Sequence, residues 1–158
     1  MTHALVLVVG DDVEKAMAPF DENAYLDEKD EEGYPYNPQA KWDYWQEVAA
    51  LLTTEGEEVS ACPRSFIDLE RLTYRQATAP PSPWTPEKQN DSLPWAPFAL
   101  LIDGEWIGWH QENYYNYETS DFDGDRYQAD LEAWRCSWLQ HLHGVDRNAL
   151  ITAVDFHR

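Results

Sequence analysis

Six consecutive apolar residues, Ala4 to Val9 (A-L-V-L-V-V), stand near the start of the chain and end at Gly10-Asp11-Asp12. The run carries no helix start or stop signal and is rich in valine, so it predicts a strand buried on both faces, closed by a turn. A strand of that kind needs a neighbour on each side and a covering layer on each face, which places it centrally in a sheet. The run is too short, and its flanks too poor in positive charge, for a signal peptide or a spanning helix.

A partner for this strand is expected at the other end, where Ala149 to Val154 is the second compact strand candidate. Between them, Phe98 to Ile102 and Glu105 to Trp109 flank Asp103-Gly104, a two-residue hairpin signal, because both residues tolerate positive φ. Helical spacing is read three times. Trp42, Trp45, Val48, Ala49 and Leu52 predict a helix capped by Asn37 with Pro38 in its first turn. Phe66, Leu69 and Leu72 predict a shorter one starting at Ser65, with Asp68 at capping-box spacing. Leu131, Trp134, Trp138 and Leu142 predict a third, capped at Asp125 and stopped by Gly144. The order β, α, short α, ββ, α, β fits an α+β ferredoxin-like sandwich with an antiparallel sheet, the first and last strands in its middle and helices on one face. Six prolines within residues 80–97 predict a stiff connector inserted in a single domain spanning 1–158.

Charge then limits the partners. The chain has 30 acidic and 11 basic side chains, a formal net charge of -19, which disfavours ordinary nucleic-acid binding and an anionic membrane while attracting basic surfaces. The 14% aromatic content argues for a packed fold rather than acidic disorder. Residues 1–62 hold 15 acids against three bases, and seven of the acids lie between Asp21 and Glu32, which predicts a solvated loop. Two widely separated cysteines, Cys62 and Cys136, match neither a disulfide framework nor a metal motif and fit a reducing, cytoplasmic setting; Cys136, between Trp134 and Trp138, reads as a small residue beside the core.

Several residues have the chemistry of a site. Asp155 and His157 share one side of an extended strand, a geometry that permits a hydrogen-bonded pair, and Lys41 or Asp43 would complete a weak catalytic constellation. Asp121, Asp123, Asp125 and Glu132 take EF-hand ligand spacing, but Arg126 stands where the loop needs glycine, so an acidic helix start is the plainer reading. His141 and His143 suit a helix C-terminus. No phosphate-binding or dinucleotide-binding glycine motif is present, and no cofactor or resident metal is expected.

The segments A-L-V-L-V-V-G-D-D-V at 4–13, A-P-F-D-E at 18–22, K-W-D-Y-W at 41–45, D-G-E-W at 103–106 and L-I-T-A-V-D-F-H at 150–157 resemble a family of uncharacterised proteins from actinobacterial phages and their hosts, whose members show an Asn-Pro-x-x-Lys-Trp-Asp-Trp-Tyr-like segment and a Val-Asp-Cys-His-like end. The shared motif maps onto Lys41, Trp42, Asp43, Asp155 and His157; Phe156 replaces the family's cysteine, and the stretch after Trp45 lacks the Gly-Gly-Arg-Trp found in many relatives. The resemblance implies a phage-associated accessory protein in the host cytoplasm.

The expected function is a non-enzymatic binder or inhibitor of a basic, nucleic-acid-binding host or defence protein, with carboxylates placed where nucleic acid offers phosphates. Its binding residues would be Asp27, Glu28, Asp30, Glu31 and Glu32, with Asp121, Asp123, Asp125, Tyr114, Tyr115 and Tyr117. The plain alternative for these charges is solubility. A small hydrolase-like enzyme around Asp155 and His157, or a structural, virion-associated module, are the other two classes.

Overall fold

A computed structural model describes residues 3–24, 28–74, 96–108, 115–116 and 118–157. Ten strands run through them: β1 (His3–Val9), β2 (Tyr44–Glu47), β3 (Leu51–Leu52), β4 (Glu58–Val59), β5 (Ala61–Pro63), β6 (Ala99–Ile102), β7 (Glu105–Gly108), β8 (Tyr115–Asn116), β9 (Asp121–Phe122) and β10 (Leu150–His157). The α-helices are α1 (Val13–Met17), α2 (Leu69–Tyr74) and α3 (Gly124–His143), with 3-10 turns at Ala18–Phe20 and Arg64–Phe66.

The first and last strands pair in the middle of the main sheet, as their apolarity predicts. β1 and β10 are antiparallel along the whole of β1, from His3 opposite His157 to Val9 opposite Ile151. The order is β2-β10-β1-β6-β7, with β5 beside β2 along the same edge of β10. The expected all-antiparallel sheet is corrected at one seam, because β6 runs parallel to β1. A ferredoxin-like order would seat the second strand of the β6–β7 hairpin against β1; here the first strand takes that place, so the result is a mixed sheet.

Helices on one face is also corrected. Leu5, Leu7, Leu100, Ile151 and Ala153 point to the side where Trp134, Trp138 and Leu142 of α3 and Leu72 of α2 pack. Val6, Val8, Ala99, Leu101, Val154 and Phe156 point to the other, covered by Val13 and Met17 of α1 and by Phe20. Successive strand residues alternate sides, so strands apolar at every position require two covering layers. The short α1 had no periodic signature to announce it; Asp12, read as part of a turn, caps it by accepting the Lys15 N–H at 3.0 Å.

The helix expected over 38–52 is absent. That segment forms β2 and β3, with Trp45 opposite Phe156 and Gln46 opposite Asp155. The outer edge of β10 needs a hydrogen-bonding neighbour, and that demand overrides a three-and-four spacing of aromatic residues. Asn37 caps no helix; it is buried, donates to the carbonyls of Pro19 and Asp21, and accepts the Gln39 N–H in a turn. The second helix starts later than expected, capped by Asp68 rather than Ser65, with Phe66 exposed, and residues 75–78 of the expected helix lie outside the described residues. α3 begins one residue after Asp123, whose side chain accepts the Arg126 N–H, so Asp123 and not Asp125 is its cap. Cys136 is exposed, since Trp134 and Trp138 one turn apart share the buried stripe and the residue midway points away. Burial pushes the Cys62 thiol up and so keeps it protonated.

The hairpin is as predicted, with positive φ at Asp103 and Gly104 between β6 and β7. Residues 80–95 of the proline-rich connector lie outside the described residues; beyond them the Pro97 carbonyl accepts the Trp134 indole N–H at 2.7 Å. No helix among the described residues is long and apolar enough to cross a membrane. Trp138 is fully buried at the centre of the α3 layer. Trp138→Ala is expected to cost about 3–5 kcal/mol, read as a lowered urea midpoint without a change of fold by circular dichroism.

Candidate functional site

The β1–β10 register brings His3 and His157 directly opposite each other at one end of the sheet. Their rings lie on one face, with centroids 4.9 Å apart and planes tilted by 54°. Each Nδ1 meets a carboxylate. His3 Nδ1 stands 3.1 and 3.2 Å from the two Asp155 oxygens, and His157 Nδ1 stands 2.6 Å from Asp43 Oδ1. A carboxylate only accepts, so Nδ1 donates in both contacts and Nε2 is the ring nitrogen left for other chemistry.

The two pairs sit in different surroundings. Asp155 is 1% exposed, in the sheet interior opposite Leu5 and Gln46, with His3 half-exposed above it. Asp43 precedes β2 and is open to water, while His157 is mostly covered. The Asp43 carboxyl is held below its ordinary value, first by the His157 hydrogen bond and then, against some desolvation, by the charge of that ring. Asp155 and His157 therefore share a strand face as expected, but each takes a different partner. His157 bonds Asp43, a residue of the expected constellation, and Asp155 bonds His3. Among the described residues neither pair is bonded to Lys41, whose backbone N–H donates to Phe20 O. His3 is the residue that sequence reasoning passed over. Its signal was its position directly before the first strand, since pairing the first and last strands in antiparallel register must bring it to the end of the last.

The acidic segment forms a second feature. Residues 28–36 make a tight hairpin, with Lys29 bridged to Pro35 and the Tyr36 N–H donating to Glu28 O. Asp30 builds its turn: Oδ1 accepts the N–H groups of Glu32 and Tyr34 at 2.9 and 2.8 Å, and Gly33 adopts φ +86°. Asp30 is thus a turn-forming residue as well as a surface charge. Glu28, Glu31 and Glu32 are exposed around Tyr34, 64% exposed, and Tyr36. The loop is ordered by its own hydrogen bonds where charge alone predicted irregular chain.

Asp121 lies in β9, Asp123 caps α3, Asp125 is in the first turn and Glu132 is two turns further, 3.7 Å from Arg135. The backbone is already helical from Gly124, where a calcium loop would still be wrapping its ion, so these four carboxylates do not converge. Exposed Phe122 rests against the Tyr127 ring beside them. Among the described residues no group of three or more His, Cys, Asp or Glu is placed to hold a metal ion. Asp27, Tyr114 and Tyr117 lie outside the described residues, and of Tyr115 only the backbone, in β8, is described.

No protein-family model, curated protein or solved structure matches the chain.

Asp43, with its lowered carboxyl, links this site to acid stability. Its stabilising contribution is complete above the ordinary unfolded value, about 3.9, and is lost as pH falls through the lower folded value. Asp43→Asn is expected to flatten that part of the acid limb, leaving a smaller fall in denaturant midpoint between about pH 5 and pH 2 than in the wild type.

Proposed function

We propose that the protein is a non-enzymatic, phage-associated binder of a basic protein surface, docking through its acidic hairpin in competition with nucleic acid. The observation that carries this reading is the turn built by Asp30, which holds Glu28, Glu31 and Glu32 around exposed Tyr34 and Tyr36. Preorganisation matters because a loop already fixed loses little entropy on docking. Carboxylates steer a cationic partner at long range, and tyrosines supply contact area that can be dehydrated at short range. The other acids include exposed Glu14, Glu47, Glu55, Glu57, Asp103 and Glu105, which add to the negative net charge.

In this reading the partner is a host or defence protein whose positive groove normally takes DNA or RNA. Reversing Glu28, Glu31 and Glu32 together to lysine is expected to slow association with a basic DNA-binding domain about tenfold or more at low salt, with an unchanged unfolding midpoint. Stopped-flow association and a DNA competition assay measure it; an unchanged rate removes the hairpin as the contact.

A second reading is favoured by one observation, the 2.6 Å bond from His157 to Asp43 beside the His3–Asp155 pair. Two imidazoles, each oriented through Nδ1 by a carboxylate, are equipped for general acid–base work at Nε2, as in a small hydrolase-like enzyme. Here His157→Ala and His3→Ala are each expected to lower hydrolysis of a neutral activated ester by about 100-fold or more, while His141→Ala leaves it unchanged. Equal rates in all three variants remove the cluster as a catalytic site.

A further inference from the structure

The main sheet ends at β2, and among the described residues no strand pairs with its outer edge. The inner edge is occupied. Val48 N–H donates to Ala153 O, and Asp43 N–H donates to His157 O, where two residues of the β2 segment face one of β10. Counting back from Val48 by the two-residue period, the peptide groups of Gln46 and Tyr44 face β10, and those of Trp45 and Glu47 face outward. Tyr44, Gln46 and Glu47 are exposed, Tyr44 at 58%.

Exposed edges are usually blunted by lysine, proline or a covering element. The segment D-Y-W-Q-E-V over 43–48 has neither lysine nor proline, and its two charges, Asp43 and Glu47, are negative and exposed. Asp43 is bonded to His157 next to Trp42, which pairs with the chain at 20–22, so Glu47, on the face of Trp45, is the carboxylate that selects an incoming strand by sign. An acidic segment is repelled, while a lysine or arginine side chain on the Trp45 face reaches the Glu47 carboxylate as the backbone adds its hydrogen bonds. Tyr44 offers a flat ring on the face opposite Trp45 for an aliphatic or cationic stem to lie against.

We propose that the outer edge of β2 takes up an extended, basic polypeptide segment of the partner, which joins the sheet as an additional strand. The inference rests on the basic-partner reading above and specifies its form: a lysine- or arginine-bearing tail or loop that docks in extended conformation. With only two outward-facing residues, the ladder supplies register and Glu47, within the negative net charge of the chain, supplies attraction.

The experiment uses the intact protein with two synthetic peptides, an alternating lysine–valine decapeptide and the same peptide N-methylated at every amide so that neither edge can donate to a ladder. Binding is followed at low salt by calorimetry and by amide hydrogen exchange at Trp45 and Glu47. The expected result is selective slowing of exchange at those two amides with the unmodified peptide. Affinity for the methylated peptide should fall by about tenfold or more, and Glu47→Lys should give a similar loss. Equal affinity for both peptides with no protection at Trp45 and Glu47 overturns the edge inference, and salt-sensitive binding that persists in that case leaves the electrostatic reading standing. Absence of binding by either peptide, together with a hairpin charge reversal that leaves association with the basic domain unchanged, overturns both.

Discussion

The antiparallel pairing of β1 with β10 is the interaction on which the rest of the structure depends. Seven residues at one end of the sequence meet eight at the other, and both strands are buried through most of their length. Such long-range closure is entropically costly and slow to form, and it is compensated only when apolar surface on both faces leaves water at once. Two covering layers follow from it, α3 and α2 on one side and α1 on the other. The same closure carries His3 to His157, so the polar cluster at the end of the sheet is a by-product of the register that fixes the core.

Surface charge is organised around that core by exclusion. Asp155 is the buried carboxylate among the described acids, and the sheet gives it a histidine partner, His3. Burying an ionised group without a hydrogen bond is far more costly than leaving it in water, so the other described carboxylates stay at the surface or occupy turns and caps. Asp12, Asp30, Asp68 and Asp123 each accept backbone N–H groups, and part of the acidity therefore has local structural work apart from any partner. The hairpin at 28–36 joins both uses, since one aspartate closes the turn that displays three glutamates and two tyrosines.

What could be read beforehand depended on whether a signal was local. The Asp103-Gly104 turn, the helix through Trp134 and Trp138, and the two central strands each declare themselves within a few residues, through positive φ, a 3.6-residue stripe or a continuous apolar run. The segment around Trp42 and Trp45 did not, because spacing alone does not say whether the backbone will satisfy its own hydrogen bonds as a helix or lend them to a neighbour. Part of the candidate site was legible in the same sense: Asp155 and His157 share a face by alternation, but the identity of their partners required the register of two other chain segments.

By itself, the sequence determined which strands are central, that the chain mixes helices with a sheet, and that its net charge is strongly negative, because burial preference and charge belong to residues individually. Only the tertiary structure decided that β6 runs parallel to β1, that helices cover both faces, and that His3 takes Asp155 while Asp43 takes His157. Those outcomes depend on which distant segment competes best for an open edge or an exposed apolar face, a comparison of free energies between whole arrangements that no single stretch of residues contains.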